Sequence, residues 1–303
     1  MSAWRLFVTK SSRAFAGIEG SPRSRYRIVG VPLDSTTTYR PGARFGPDAV
    51  RVAAAALESN SAFVKGVYLE DAAPYDEGDV VVPVGDVAET LRRVEAVVRG
   101  LRDEGGIPIL IGGEHTITLG ALRALSDAEP CVVMFDAHYD LRPDYLGVRV
   151  SHATFMRRAL EQAKVRDLVY VGVRAYAREE EQYASDRGFL TFKAPLDFIT
   201  LGPANISSAI AQRLSKCGSV YITVDMDVFD PSYAPGVGNP EPMGPSPYEV
   251  LTILNRLVDG RLVGMDVVET DPTHDPSGIT AALAAKVVVE AVIKHFSSAA
   301  RQA

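Results

Sequence analysis

The sequence has little of what would place it in a disulfide-rich, membrane-spanning or nucleic-acid-binding class. Its only two cysteines, Cys131 and Cys217, form no CxxC or other recognisable motif, so we expect two free thiols in a reducing compartment. The chain has no apolar run of about 18 residues that would span a membrane, and its N-terminal segment lacks the apolar core of a signal peptide. The net charge of −6 argues against a basic nucleic-acid footprint. We therefore expect a cytoplasmic protein with no membrane or nucleic-acid partner.

What the chain does contain is enough apolar sequence for a large core. It has 303 residues, of which 47% are hydrophobic, and a chain of this size can bury a core without disulfides or structural metals. No linker, internal repeat or low-complexity segment divides it. We therefore predict a single domain over residues 1–303, although length alone would also allow two.

Short apolar runs alternate with longer amphipathic stretches from end to end. The runs are rich in Val and Ile and mostly apolar on both faces, which is typical of buried parallel strands. They are YRIVGVP, IPILIGG, CVVMFD, DLVYVGVR, SVYITVD and RLVGMDVV. Helices are predicted at 46–60, 87–106, 116–126, 153–164, 204–216, 246–258 and 277–296. The alternation predicts an α/β fold with a mainly parallel sheet and helices on both faces. Residues 61–86 are interpreted as a loop with an edge element.

Acidic and histidine side chains follow four of these apolar runs. They are Glu114 and His115, then Asp136, His138 and Asp140, then Asp225 and Asp227, and finally Glu269. Ligands of open α/β sheets bind beyond the carboxyl ends of the strands. We therefore expect these side chains to meet at one edge of the sheet.

The spacing of these residues predicts a metal site. In an extended backbone residues i and i+2 point to the same side, so Asp136, His138 and Asp140 face one point if the chain stays extended there. Asp225 and Asp227 do likewise from another strand. Four carboxylates placed together raise one another's pKa values, and two divalent cations supply about +4 to cancel their charge. Oxygen-rich ligation with some imidazole suits Mn²⁺ better than a structural zinc.

The motifs GGEHTIT, DAHYDLR, SHATF, TVDMDVFDP and DVVE together resemble the ureohydrolase family. This is the arginase and agmatinase group of binuclear manganese enzymes. The resemblance runs from STTTYRPGARFGPDAVR at 35–51 to DPSGITA at 275–281, almost the whole chain. It implies an arginase-like three-layer α/β/α fold, two Mn²⁺ ions per chain, and hydrolysis of a guanidino group to an amine and urea.

The same resemblance implies the ligand set and the bridging residues. The ligands would be His115, Asp136, His138, Asp140, Asp225 and Asp227. Asp136 and Asp225 would bridge the two ions, which lower the pKa of bound water and so supply a nucleophile at neutral pH.

Three residues are expected to carry the chemistry. Glu269 would pair with the substrate guanidinium and aim its carbon at the nucleophile. Asp140 would take the proton of the nucleophile and pass it to the leaving amine. His152 would be an acid or base, or a substrate contact, outside the metal shell. Without the resemblance, His152 is interpreted as a helix-entry residue beside Ser151, a candidate N-cap.

The substrate is inferred from what separates the members of the family. The N-terminal stretch and SHATFMRR are more similar to agmatinase than to arginase, and RPDYLGVRVS replaces the Asn- and Ser-rich stretch of arginases. We therefore expect agmatine to be hydrolysed to putrescine and urea, a step of polyamine biosynthesis. The alternative is a guanidinobutyrase or another guanidino-acid ureohydrolase, whose pocket needs Arg or Lys at its far end instead of acids or carbonyls.

Two more distant alternatives share the architecture. A single-zinc deacetylase of acylated amines holds its metal with an Asp-His-Asp set, to which His115 and Asp140 would be extra. A non-catalytic relative would lack one or more ligands, and none is missing. The resemblance also implies a homo-oligomer, a trimer or hexamer, with the arginine-bearing loop 38–46 as a candidate contact.

Other polar residues are interpreted by position alone. Glu114 is either an acceptor that orients His115 or a surface acid. Arg174 ends a strand and either reaches the mouth of the site or forms a structural ion pair. His274 is expected in a loop, and His295 at the surface.

Overall fold

Nine strands form one sheet in the computed structural model, which describes residues 2–300. They are β1 (Val8–Thr9), β2 (Tyr26–Val31), β3 (Tyr75–Val80), β4 (Ile107–Gly112), β5 (Cys131–Phe135), β6 (Asp167–Val173), β7 (Leu190–Lys193), β8 (Val220–Asp225) and β9 (Leu262–Val268). Their order is β1-β3-β2-β4-β9-β8-β5-β6-β7. The β1–β3 pair is antiparallel and the others are parallel. The predicted mainly parallel sheet is confirmed.

Helices cover both faces of this sheet. They are α1 (Gly46–Ala54), α2 (Leu69–Ala72), α3 (Val87–Asp103), α4 (Ile117–Ala124), α5 (Phe155–Gln162), α6 (Arg178–Asp186), α7 (Leu196–Arg213), α8 (Pro247–Leu257) and α9 (Ile279–Ala300). Along β5, Val133 and Phe135 enter a core with α1, α7, α8 and α9, whereas Val132 and Met134 enter a core with α3, α4 and α5. This alternation produces the three layers α/β/α that the resemblance implied. Within residues 2–300, no helix is long and apolar enough to cross a bilayer.

Strand β3 lies in the segment 61–86, where hydropathy indicates no central strand. Its sequence, YDEGDV, carries three acids. Glu77 accepts a hydrogen bond from the buried Arg27 of β2 at 2.7 Å, and Asp76 accepts two from the buried Arg51 of α1 at 2.8 and 2.9 Å. Because each buried acid meets a guanidinium, a polar strand is stable beside the core.

The expectation of two free thiols is wrong, because Cys131 and Cys217 form a disulfide. They are 86 residues apart in sequence, so no local spacing reveals the pair. Cys131 begins β5, and it pairs in register with Val220, which begins β8. Cys217 lies three residues before Val220. The parallel pairing of β5 with β8 is therefore what brings the two sulfurs together.

The expectation that His295 lies at the surface is also wrong. His295 is fully buried on α9, and its Nδ1 lies 2.9 Å from the hydroxyl of Tyr26 on β2. Helix α9 packs against β9, α1, α2 and α8. These neighbours enclose much of the helix, so that even a polar side chain on it can be buried.

Candidate metal centre

The order of the strands brings four predicted site segments side by side. Strands β4, β9, β8 and β5 are consecutive neighbours in the sheet, and their carboxyl ends carry His115, Glu269, Asp225 and Asp136. All four of these residues are buried. The prediction that separate strand ends converge at one edge of the sheet is confirmed.

The backbone does not stay extended after β5, contrary to the expectation from the i, i+2 spacing. Strand β5 ends at Phe135, and Asp140 has φ +54, a left-handed conformation that non-glycine residues rarely adopt. Asp227 lies in a 3-10 helix, Met226–Val228, that follows β8. The side chains nevertheless converge, because a turn at each strand end replaces the alternation of an extended chain.

The imidazoles and carboxylates form two groups that share one residue. In the first, His115 Nδ1 lies 3.0 Å from Asp136 Oδ2, 3.0 Å from Asp225 Oδ2 and 3.6 Å from Asp140 Oδ2. In the second, His138 Nδ1 lies 3.4 Å from Asp136 Oδ1 and 3.0 Å from Asp227 Oδ2. Ligand atoms of His115, Asp136 and Asp140, and of Asp136, His138 and Asp227, are each close enough together to hold a metal ion. Asp136 therefore presents one oxygen to each group.

Backbone amides fix the orientation of these carboxylates. Asp136 Oδ1 accepts from the amide of His138 at 2.6 Å, Asp225 Oδ1 from that of Asp227 at 2.8 Å, and Asp227 Oδ1 from that of Ala137 at 3.1 Å. Two buried atoms that face each other, His115 Nδ1 and Asp136 Oδ2, have no hydrogen-bond partner. Buried polar atoms are normally satisfied, so this pair fits a position meant for a cation.

The electrostatics of the cluster also favour added positive charge. Burial raises the pKa of Asp140 and of Asp225 well above the usual value, and in each case a neighbouring carboxylate adds to the effect. Burial alone would lower the pKa of His115, but Asp136 and Asp225 raise it well above its usual value. The cluster contains four carboxylates and two imidazoles. This donor set suits divalent cations such as Mn²⁺.

A relay of hydroxyl groups holds the far side of His115. Its Nε2 lies 2.7 Å from Thr223 Oγ1, and Thr223 donates in turn to the fully buried carboxylate of Asp266. Since the single hydroxyl proton of Thr223 goes to Asp266, His115 is the donor to Thr223. In the neutral ring this proton on Nε2 leaves Nδ1, which faces the carboxylates, as the nitrogen that can bind a metal.

A cavity of about 290 Å³ opens onto the two groups. Its walls include His152 and Glu269 as well as Arg142, Tyr145, Tyr176, Glu180, Asn239 and Glu241. Glu269 has φ +62, and its Oε1 accepts from the amide of His115 at 2.8 Å. Burial raises the pKa of Glu269 to about 8. The site therefore joins a metal-type cluster to a space large enough for a small molecule.

His152 is 8% exposed and lies outside the two groups. Its Nδ1 is 3.4 Å from Thr36 Oγ1, and its Nε2 is 3.4 Å from Thr38 Oγ1. Burial lowers the pKa of His152 to about 4. Ser151 makes no cap on α5, whose N-terminal flanking residue is Thr154. His152 therefore sits beside the cluster, not in it, as the sequence predicted.

Both interpretations of Glu114 are wrong. It is fully buried, so it is no surface acid, and its carboxylate makes no hydrogen bond to His115. It accepts instead from the amide and the hydroxyl of Thr36, both at 2.6 Å, and from the hydroxyl of Thr116 at 2.6 Å. The chain bends and turns after β4 ends at Gly112, and the Glu114 side chain contacts the loop that carries Thr36 instead of its neighbour.

Arg174 and His274 contact loop residues and lie outside the cavity wall. Arg174 donates to backbone carbonyls, among them those of Asp227 at 2.7 Å and Glu241 at 2.8 Å, and so ties together loops beside the site without an ion pair. His274 lies in a short 3-10 helix, Pro272–His274, with its Nδ1 2.7 Å from Asp271. Neither lines the cavity.

Sequence comparison connects this site with known proteins. The model of the arginase family matches residues 24–294. An agmatinase of Halalkalibacterium halodurans is 34% identical over 277 residues, which cover 89% of this chain and 92% of that protein. A guanidinopropionase of Pseudomonas aeruginosa is 35% identical over 288 residues, 91% of this chain and 88% of that protein.

A solved structure gives the same result for the fold. The crystal structure of the agmatine ureohydrolase of Thermoplasma volcanium superimposes with a TM-score of 0.87 at 34% sequence identity. The match covers 97% of each chain, so the architecture is shared throughout and not only around the cluster.

Proposed function

This chain belongs to the arginase family, and from that premise we propose that it is a binuclear manganese ureohydrolase that hydrolyses agmatine to putrescine and urea. The observation that carries the proposal is the position of Asp136, which is common to both ligand groups. Its Oδ2 lacks a hydrogen-bond partner although it is buried, and a bound cation would satisfy it. The first ion would be held by His115, Asp136, Asp140 and Asp225, and the second by His138, Asp136 and Asp227. The family resemblance implies that Asp225 would serve the second ion as well.

The metal ions, when bound, would lower the pKa of water and so supply a nucleophile at neutral pH. The remaining tasks fall to the protein. Glu269 keeps Oε1 on the amide of His115, which leaves Oε2 for a guanidinium hydrogen bond. Asp140 lies 3.6 Å from His115 Nδ1 at the edge of the first group. From there it would accept a proton and transfer it to the leaving amine.

The tail of the substrate is inferred from the charges in the cavity, because the relatives differ in the substrates their names give. Arg142 lines the cavity, but its Nε lies 3.5 Å from Glu180, and its guanidinium lies over the ring of Tyr145. Glu241 is half-buried, and its carboxylate meets only His138 Nε2, at 4.0 Å. Within residues 2–300 no lysine or arginine forms a salt bridge with Glu241, and this acid in the cavity wall favours an ammonium tail, which agmatine has.

A guanidino acid is the second candidate substrate, because Arg142 is present in the same cavity. To bind a carboxylate tail, Arg142 would have to leave Glu180, which is buried and also accepts from the amides of Leu141 and Ala177. That exchange leaves a buried acid without its cation, which is unfavourable. We therefore rank guanidinobutyrate and guanidinopropionate behind agmatine.

The proposal is tested by urea release in Mn²⁺ from agmatine, arginine, guanidinobutyrate and guanidinopropionate. We expect agmatine to give the highest kcat/KM. If only a guanidino acid released urea, that acid and not agmatine would be the substrate. If none of the four compounds released urea with the metals bound, the proposed activity would be contradicted. One zinc per chain with deacetylation would identify the distant alternative instead.

Glu241→Gln tests the assignment of the tail. We expect KM for agmatine to rise about tenfold, because the variant loses the binding free energy of one partly solvated hydrogen bond between charged groups. Butylguanidine, which lacks the ammonium, is the matched control substrate, and its KM should not change. An equal effect on both compounds would show that Glu241 does not contact the tail.

A further inference from the structure

Glu114 is connected to His152 through a single residue, Thr36. Strands β2 and β4 pair in parallel, with Val31 opposite Gly112, and the pairing continues beyond them, because the amide of Glu114 donates to the carbonyl of Leu33 at 2.6 Å. The loop after β2 therefore passes beside Glu114. That loop carries Thr36, which contacts Glu114 on one side and His152 on the other.

The protons of Thr36 can be assigned from its partners. Its hydroxyl oxygen lies 2.6 Å from Glu114 Oε1, an acceptor, so the single hydroxyl proton points there. The same oxygen accepts from the amide of His152 at 3.1 Å and lies 3.4 Å from His152 Nδ1. With no second proton to give, Thr36 can only accept at Nδ1, so Nδ1 must carry the imidazole proton.

We infer that Glu114 is a positioning residue, which acts through Thr36 to hold His152 as the Nδ1–H tautomer, with an unprotonated Nε2 at the cavity wall, where the Thr38 hydroxyl can donate to it. His152 then offers Nε2 to the substrate as a hydrogen-bond acceptor. Burial of the ring favours this neutral form at physiological pH. The inference rests on the proposed function only for the role of His152, since the tautomer exists whether or not agmatine is the substrate.

The network has features that a simple anchor for the loop would not need. Glu114 binds Thr36 through both the amide and the hydroxyl, so the direction of the hydroxyl is fixed along with the backbone. Thr116 satisfies the same carboxylate at 2.6 Å but makes no hydrogen bond to His152. Thr116 therefore provides a matched control, a buried threonine on the same acid that does not contact His152, although its hydroxyl lies 3.5 Å from that of Thr36.

The test is the ¹⁵N NMR spectrum of histidine in the full-length chain, held in excess Mg²⁺ as a diamagnetic ion. The signals of His152 are assigned by their loss in His152→Asn. We expect the wild type to carry its proton on Nδ1. Glu114→Met, an apolar side chain of similar length, frees the Thr36 hydroxyl to donate to Nδ1 and should move the proton to Nε2.

Two further variants keep the test decisive if Glu114→Met folds poorly. Thr36→Val removes the acceptor at Nδ1 and should also abolish the fixed tautomer, whereas Thr36→Ser, which keeps the hydroxyl, and Thr116→Val should preserve it. A wild-type proton on Nε2, or a proton that stays on Nδ1 in both Glu114→Met and Thr36→Val, would overturn the inference. Because no substrate is needed, a failure of urea release leaves this result interpretable.

Kinetics then separate positioning from general damage. With the substrate that gives urea, Thr36→Val should lower kcat with little change in KM. When it is added to His152→Asn, it should cause no further loss of kcat. Additive losses in the double variant would mean that Thr36 does not act through His152.

Discussion

Two buried polar clusters at the same sheet treat their charges in opposite ways. Around Arg51, the buried Asp76 receives two guanidinium hydrogen bonds, and the partly exposed Asp79 receives a third at 2.7 Å. At the carboxyl ends of β5 and β8, the four aspartates meet only imidazoles, backbone amides and one another, and within residues 2–300 no lysine or arginine forms a salt bridge with them. The first cluster is completed by guanidinium groups of its own chain, whereas the second has only imidazoles to offset its acids, and a bound cation would add positive charge there.

This difference separates buried charge that stabilises a fold from buried charge that serves a function. An ion pair that is already matched costs stability when it is broken. A cluster of unmatched acids costs stability as it stands, and binding of a cation removes that cost. The two clusters should therefore respond oppositely to loss of one aspartate.

The largest effect is expected for Asp136→Ala. Loss of the residue common to both ligand groups should remove metal binding and reduce urea release to the uncatalysed background. Without metal, the variant should lose less stability than Asp76→Asn does, because repulsion on Asp140 and Asp225 falls while His115 and His138 lose one carboxylate partner. Steady-state rates and urea denaturation in EDTA measure the two properties. Retention of substantial activity would remove Asp136 from the centre of the site.

The next effect is expected for His152→Ala. Bound metal should remain at the wild-type level, since His152 belongs to neither ligand group, while kcat falls by about 10²–10⁴-fold, as is usual for loss of an acid or base. Metal content and turnover are measured on the same sample. Full activity in this variant would return His152 to the structural role that its position before α5 also allows.

Asp76→Asn should show the reverse pattern. The substitution leaves the buried Arg51 without its bidentate partner, which we expect to destabilise the fold by about 3–5 kcal/mol. Metal bound per folded chain should be unchanged. Unfolding in denaturant measures the change in stability, and metal analysis of the folded fraction measures the metal bound. Loss of metal without loss of stability would show that the two clusters are not independent.

The smallest effect compares two buried histidines. His115 is surrounded by acids that raise its pKa, whereas burial lowers the pKa of His295 to about 4. An unfolded histidine titrates near 6.5. The unfolded chain therefore gains a proton before the folded chain does, and stability is lost as pH falls from about 6.5 toward 4.

Between pH 7.5 and 5 this linkage amounts to about 2 kcal/mol. His295→Gln, which cannot titrate, should lack that part of the pH dependence, and subtraction of the two unfolding curves cancels the other titrating groups. Parallel curves for the two chains would show that His295 is not buried in the neutral form.

The comparison also explains what the sequence could predict. All six strands predicted from apolar runs are present, because burial on both faces leaves a strong hydropathy signal. Strand β3 gave no such signal, since its acids are buried by pairing with Arg27 and Arg51, which come from distant parts of the chain. The polar helix α6, with REEEQ in its first turns, was not predicted either, because it buries only Glu180 and Ala184 and so has little apolar periodicity.

The candidate site was predictable to the extent that its residues lie at strand ends. The convergence of His115, Asp136 and Asp225 follows from parallel strand order. The left-handed turn at Asp140 and the contact of Glu114 with Thr36 depend on loop conformation and on neighbours far along the chain. The disulfide depends on the register of β5 with β8. None of these leaves a local pattern in the sequence.

The central claim is that two cations share Asp136, and the number of Mn²⁺ ions per chain tests it most directly. Equilibrium dialysis should give about two ions for the wild type, about one for His138→Ala, which removes a ligand of the second group only, and none for Asp136→Ala. One ion in the wild type, or equal losses in His138→Ala and Asp136→Ala, would contradict the account.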